Sequence, residues 1–276
     1  RGVTKKYPHT PGIDAAGIVA ESSVAEFKAG DEVFVTGFDL GMNTSGGYQE
    51  YIRVPAAWVI KRLPNLNLKE SMVYGTAGLT ALLSVAALVD AGVKARDGEV
   101  LVTGTTGGVG SFAARTLVKL GYEVVGVQRR PEEAVFLNSL GLKRMVPVEE
   151  VDDQSGRPLG KALWAGVIDT VGGNILYTAI KTTRYGGSIT CCGNAASNSF
   201  PATVLPFILR GVTLYGIDSV ECPMNHRLRV WNKIAGDWKL DNVEALAEEC
   251  SLEELNEKID MILQGKVQGR VVVNLS

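Results

Sequence analysis

A chain of 276 residues, 46% hydrophobic and 21% charged, is long enough to bury a real core as one large domain or two smaller ones. A net charge of −2, with no long run of Lys or Arg, leaves no electrostatic footprint for nucleic acid or an anionic membrane surface. No apolar stretch is expected to reach the ~20 residues of a transmembrane helix, and RGVTKKYPHTPG lacks the apolar core of a signal peptide, so a cytoplasmic location is expected.

Residues 17–54 read as β-rich. GIVAESSV, DEVFVT and YQEYIRV predict short strands of a small antiparallel or barrel-like module. Residues 69–90 are apolar nearly all round and predict a buried helical pair interrupted at Gly75–Gly78. From Glu99 the pattern alternates: EVLVTG, a helix through LVKLG, YEVVGVQ, a helix from Pro131 to Leu140, RMVPV, AGVIDTVGG, another helix, and GGSITCCG. Short apolar strands separated by amphipathic helices predict a parallel sheet covered on both faces. GVTLYGID supplies a sixth strand; helices through HRLRVWNKIAG and LEELNEKIDMILQG and a last strand, GRVVVNL, follow.

In Gly104-Thr-Thr-Gly107-Gly108-Val-Gly110 the first glycine ends a strand, and Val109, Phe112, Ala113, Leu117 and Leu120 then share a helical face. Such a loop lets backbone approach a pyrophosphate while the free N–H groups at the helix start hold its charge. The spacing is GxxGGxG rather than GxGxxG, and a tight turn without a ligand is the alternative. About 20 residues on, an NAD enzyme places a carboxylate against the ribose 2′-OH. This chain has Gln128-Arg129-Arg130 there, and two guanidiniums suit a 2′-phosphate, which favours NADP. The alternative is a solvated loop neutralised by Glu132 and Glu133. Arg144, opening the third strand of the series, is expected to cover the adenine or add a phosphate contact.

Zinc dehydrogenases polarise a carbonyl with Cys, His and carboxylate ligands. His9 and His226 are the two histidines, and Cys222 with His226 is the sole Cys/His proximity, so no metal site is expected. The four cysteines, Cys191, Cys192, Cys222 and Cys250, include no CxxC spacing and read as reduced thiols, mostly buried. Hydride addition to an alkene conjugated to a carbonyl is then the accessible reaction; it needs donors for an enolate oxygen and a proton for the α-carbon.

TPGIDAAGIV (10–19), GGYQEY (46–51), GTAGLTA (75–81), VTGTTGGVGS (102–111), DTVGG (169–173), RYGG (184–187), LPFILRGVTLYGIDSVECP (205–223) and GKVQGRVVV (265–273) together resemble the acryloyl-CoA reductase-like, zinc-independent branch of the medium-chain dehydrogenase/reductase superfamily, whose members are often labelled quinone oxidoreductases. The resemblance implies an α/β fold, a doubly wound Rossmann sheet plus a β-rich GroES-like domain. Expected boundaries are 1–75 and 219–276 for the GroES-like catalytic domain and 76–218 for the NADP-binding domain. It also implies NADP(H) as cofactor and an enoyl thioester, enone or quinone as substrate.

Carried onto matching positions, Thr106, Gly107, Gly108 and Val109 would hold the pyrophosphate, and Gln128, Arg129, Arg130 and Arg144 the 2′-phosphate side. Asn194, Ile208 and Ser219 would lie beside the nicotinamide half, with the Gln264–Arg270 turn over it. Arg270 is the candidate substrate- or cofactor-facing cation, with a surface Arg as the alternative. Asn43 and Tyr48 are further cleft candidates, Thr76 and Thr80 flank glycines where backbone must approach closely, and Lys5, Lys6, Arg227 and Arg229 are available for a basic rim. The family's Asn-Tyr-Lys-Asp segment would lie upstream of Arg1, so the natural protein is expected to be longer. The implied reaction is acryloyl-CoA to propionyl-CoA; a quinone or small-enone reductase and a non-catalytic NADPH-binding homologue are the rivals. A homodimer is expected, with GVTLYGIDSV as its edge strand.

Overall fold

The computed structural model describes Thr4 and residues 6–275. The chain divides into two compact units, Arg1–Leu79 with Ser219–Ser276, and Thr80–Asp218.

The first unit opens with β1 (Asp14–Ile18), β2 (Glu32–Thr36) and β3 (Ile60–Lys61), an antiparallel sheet in that order. β2 buries Phe34, Val35 and Thr36, and Phe34 meets Trp231 edge-on at 4.6 Å. YQEYIRV does not form the strand its sequence predicts. Gly46, Gly47 and Tyr48 donate their N–H groups to Thr10, Gly12 and Pro11 carbonyls, which folds that segment into turns before a ladder can start.

Helix α1 (Leu68–Asp90) is broken at Gly75, whose φ of 50° and ψ of −157° lie outside helical space. It corrects the expectation about apolar stretches: an 18-residue window averages a hydropathy of 1.8, long and apolar enough to cross a membrane. With 78% of that window buried inside the protein and a glycine break near its start, it is a core helix.

The second unit is a six-stranded parallel sheet. In chain order its elements are β4 (Val100–Val102), α2 (Gly108–Lys119), β5 (Val124–Gln128), α3 (Ala134–Ser139), β6 (Arg144–Pro147), β7 (Trp164–Asp169), α4 (Gly173–Thr182), β8 (Thr183–Cys191), α5 (Leu205–Arg210) and β9 (Thr213–Gly216). The strand order is β6-β5-β4-β7-β8-β9. That is the 3-2-1-4-5-6 order of a doubly wound dinucleotide fold, with the reversal between β4 and β7. Central strands covered on both faces must be apolar throughout; β4 and β7 are buried along their whole length, and Leu101, Val125, Val167 and Ile189 meet Leu176 and Ile180 of α4 in the core. Each such side chain contributes about 1.5–3 kcal/mol by leaving water. Gly126 in β5 makes room for the Leu142 side chain, whose end would lie 2.6 Å from a Cβ there.

The chain then returns to the first unit as α6 (Met224–Ile234), β10 (Ala247–Ser251), α7 (Leu255–Leu263) and β11 (Arg270–Asn274). β10, with the sequence AEECS, carries no strand signal of its own. It forms because the RVVVN edge of β11 pairs with it in parallel, Ala247 opposite Arg270, with α7 as the crossover.

Candidate functional site

The glycine turn lies at the C-terminal end of β4, beside the strand-order reversal where ligands of such sheets bind. Gly104 adopts φ +59°, and a Cβ there would lie 2.1 Å from Thr170 Oγ1. Gly107 is the N-cap of α2 with no side-chain cap, so the first-turn N–H groups face outward from a helix whose dipole favours an anion. Gly107 itself has room, its nearest Cβ neighbour being Gly104 O at 3.4 Å.

Three residues that carry this turn were not singled out by sequence reasoning. Thr105 Oγ1 donates to Val102 O (2.7 Å) and accepts the Val127 N–H (2.8 Å), tying the loop to β5. Thr103 Oγ1 donates to Asp169 Oδ1 (2.8 Å) and accepts the Thr170 N–H (3.0 Å). Asp169 Oδ2 accepts the Gly172 N–H at 2.8 Å. Full burial raises the Asp169 carboxyl above its usual range, while the Thr103 and Gly172 bonds pull it back. A carboxylate ending an apolar strand and threonines flanking glycines were the available signals.

At the end of β5, Gln128 Nε2 donates to Arg130 O (3.0 Å), which shapes the turn carrying Arg129 and Arg130. Glu133 is 2% exposed and closes this turn: Oε2 accepts the Arg129 N–H (2.9 Å), and Oε1 lies 3.3 Å from Arg130 Nε. Arg129 keeps 55% of its side chain exposed.

Arg144 is a correction. It pairs with Val125, three residues before Gln128 in β5, about 10 Å from the strand end. There its guanidinium donates to both Glu99 carboxylate oxygens (2.9 and 2.7 Å), which holds the Glu99 carboxyl below its usual range. Pro147 and Val148, with no charge to offer, occupy the corresponding end of β6.

Asn194 is exposed just after β8, where Gly193 packs so tightly that a Cβ would lie 1.9 Å from Thr170 O. Ile208 projects from the short α5 with 68% of its surface exposed.

In the first unit, three parts of the chain meet at Asp14. Its carboxylate accepts the Thr76 N–H (3.0 and 2.9 Å) and hydroxyl, and pairs with Arg270 Nη2 at 3.3 Å. Arg270 is three-quarters covered and opens β11. Thr76 is therefore a ligand of Asp14, whereas Thr80 is buried. Tyr48 is half-buried in the same neighbourhood. Burial pushes its phenol above the ordinary value, Arg270 opposes that and Asp14 adds to it, so at neutral pH it keeps its proton.

Gly75 makes this cluster possible: a Cβ there would lie 2.4 Å from Asp14 Oδ2 and 2.7 Å from Arg270 Nη2, at a positive φ. Gly75→Ala is expected to destabilise the fold by about 2–4 kcal/mol through overpacking and left-handed strain. Denaturant titration of the two proteins reads this loss.

Arg227 is a second correction. It is completely buried and no part of a basic rim: it donates to Thr36 O (2.6 Å), Ser219 O (3.0 Å) and Val220 O (2.9 Å), and lies 4.2 Å over the Phe38 ring. It thereby fixes Ser219, itself buried. Gln264 is the exposed C-cap of α7. Asn43 is exposed and bonded to Asp39 (2.7 Å), Lys6 and Arg229 are exposed, and Lys5 lies outside the described residues. All four cysteines are free; Cys222 and Cys250 are buried, while Cys191 and Cys192 are half-buried.

A parallel sheet in this order, with an uncapped helix N-terminus after a glycine turn at its switch point, defines a dinucleotide-binding domain. Residues 1–65 match the alcohol dehydrogenase GroES-like domain family and residues 108–232 the zinc-binding dehydrogenase family. The acrylyl-CoA reductase AcuI of Ruegeria pomeroyi is 46% identical over all of this chain and 83% of its own length. The crystal structure of Escherichia coli K-12 YhdH with bound NADPH superposes with a TM-score of 0.96 at 42% identity, covering 99% of this chain and 84% of that one. Bacillus subtilis YhfP, named as a quinone oxidoreductase, is 45% identical, and its structure with NAD bound gives a TM-score of 0.95 over 99% of this chain and 83% of that one. The chain belongs to the medium-chain dehydrogenase/reductase superfamily of oxidoreductases, in the branch that holds these acrylyl-CoA reductase and quinone oxidoreductase relatives.

The zinc in the matched family description does not fit the donors present. His9 Nε2 is used in a hydrogen bond to Gly41 O (2.9 Å), His226 is exposed, and the Cys222 thiol points at Pro223 O. No group of three His, Cys, Asp or Glu suited to a metal exists among the described residues.

Proposed function

We propose that this protein uses NADPH to reduce the C=C bond of an α,β-unsaturated thioester, converting acryloyl-CoA to propionyl-CoA. The observation that carries the reductant is the pair Arg129 and Arg130 directly after β5, where an NAD-selective site would present a carboxylate and this chain presents Gln128. The names of the AcuI relatives support the substrate. Thr106, Gly107, Gly108 and Val109 bind the pyrophosphate through backbone N–H groups, and Gln128, Arg129 and Arg130 face the 2′-phosphate. Asn194 and Ile208 serve the nicotinamide half, and Ser219, Gln264 and Arg270 retain the role that the resemblance assigns them.

When bound, NADPH would supply a hydride for the β-carbon of the substrate. Negative charge then gathers on the thioester oxygen and a proton must reach the α-carbon. In the first unit Asp14 pairs with Arg270 and accepts the Thr76 N–H, and burial holds the Tyr48 phenol above its ordinary value, so at neutral pH it is a protonated donor. Arg270 and the Tyr48 hydroxyl are the groups there that carry donors suited to a developing oxyanion. β9, at the outer edge of the sheet, is the strand on which we rest a homodimer; sedimentation of the purified protein tests it.

Stopped-flow oxidation of NADPH is expected to be fast with acryloyl-CoA and to be inhibited by free CoA. Oxidation driven by quinones alone, with no effect of CoA, would transfer the assignment to a quinone reductase.

A further inference from the structure

The two guanidiniums proposed to meet the 2′-phosphate are not a simple positive patch. Glu133 is an ionisable side chain almost wholly removed from solvent, one turn beyond them, and its carboxylate faces both. One oxygen accepts the Arg129 N–H at 2.9 Å and lies 3.4 Å from the Arg130 N; the other sits 3.3 Å from Arg130 Nε and 3.7 Å from Arg129 Nη2. Exposed Glu132 adds a second carboxylate 3.8 Å from Arg130 Nε. Two cations and two anions therefore share one short turn. A carboxylate that read a ribose hydroxyl would stand at the end of β5 and point outward; Glu133 comes five residues after Gln128 and is turned inward, so its partners are the arginines.

We propose that Glu133 sets the cofactor selectivity of this protein: it orients Arg130 and offsets part of the arginine charge, so that the preference for NADPH is held low and NADH remains a usable reductant. This rests on the assignment of Arg129 and Arg130 to the 2′-phosphate. An arriving phosphate shares the guanidiniums with a fixed anion and meets that anion's repulsion, whereas a ribose hydroxyl meets neither. The backbone bonds to Glu133 also make it the acceptor of a capping box. A capping role alone would act on stability and on both dinucleotides equally.

The test is calorimetric titration of NADPH and NADH. Glu133→Gln keeps an acceptor oxygen for the backbone N–H groups and removes the charge. It is expected to tighten NADPH about three- to tenfold, as removal of one neighbouring like charge does in a partly solvated site, and to leave NADH within about twofold. Glu133→Asp, which keeps the charge, is expected to retain a ratio near that of the wild type. Glu132→Gln, at an exposed side chain that the fold does not use, is expected to tighten NADPH by about twofold while leaving NADH unchanged. An unchanged or lowered ratio of NADH to NADPH dissociation constants in Glu133→Gln overturns the inference, as does an equal change for both. If Glu133→Gln does not fold, an unchanged ratio in Glu132→Gln overturns it. Failure of the underlying assignment reads differently: Arg129→Ala and Arg130→Ala would then change neither cofactor selectively.

Discussion

Replacing Arg129 and Arg130 by alanine is expected to weaken NADPH far more than NADH. Each charged hydrogen bond to the 2′-phosphate contributes about 1.5–3 kcal/mol, and NADH has no group there to lose it. Because Arg129 is more than half exposed and Arg130 already shares Glu133, the lower end of that range is expected for each residue, roughly tenfold in the NADPH dissociation constant. Arg130 is the better held of the two, so Arg130→Ala is expected to cost more than Arg129→Ala. Equal losses for both dinucleotides in calorimetry would show that the arginines do not meet the extra phosphate.

Two glycines of one loop are expected to fail differently. At Gly110 a Cβ would lie 2.2 Å from Gly104 O, 2.7 Å from its carbonyl carbon and 2.8 Å from Thr105 Cα, all backbone atoms that cannot swing aside. Gly110→Ala must prise α2 away from the end of β4, which costs about 3 kcal/mol or more by overpacking, and dinucleotide binding goes with the loop. Gly107 has φ −79° and a Cβ there would make only an ordinary contact with Gly104 O at 3.4 Å. Gly107→Ala is therefore expected to melt within about 2 °C of the wild type, since a substitution without strain costs little. Its added methyl obstructs the approach of phosphate oxygens to the helix N-terminus, and NADPH is expected to weaken roughly tenfold. Thermal denaturation and NADPH titration of the two variants separate the effects; wild-type affinity in Gly107→Ala would place the pyrophosphate elsewhere.

Much of the Rossmann unit was legible because its signals are local. Val100–Val102, Val124–Gln128 and Trp164–Asp169 are apolar runs bounded by glycine or polar turns, and the periodicity of Phe112, Ala113 and Leu117 continues directly from the glycine loop. The break in α1 was legible too, since a glycine in an apolar helix must answer to something; what it answers to, Asp14 and Arg270, was not. Arg144 and Arg227 were misread for one reason. A guanidinium looks the same in sequence whether it faces solvent, a carboxylate or a set of buried carbonyls.

By itself the sequence determined the succession of strands and helices along the Rossmann unit, the turn that exposes helix N–H groups, and the choice of Arg over a carboxylate after β5. Those features depend on side-chain pattern within a few residues, which chain connectivity guarantees. Only the tertiary structure decided that YQEYIRV turns instead of pairing, that AEECS becomes a strand beside β11, and that Arg227 reaches Thr36 across 191 residues and Arg270 reaches Asp14 across 256. A charge buried that far from its partner in sequence owes its state to carbonyls and carboxylates brought close by the collapse of the core, and no local pattern encodes them.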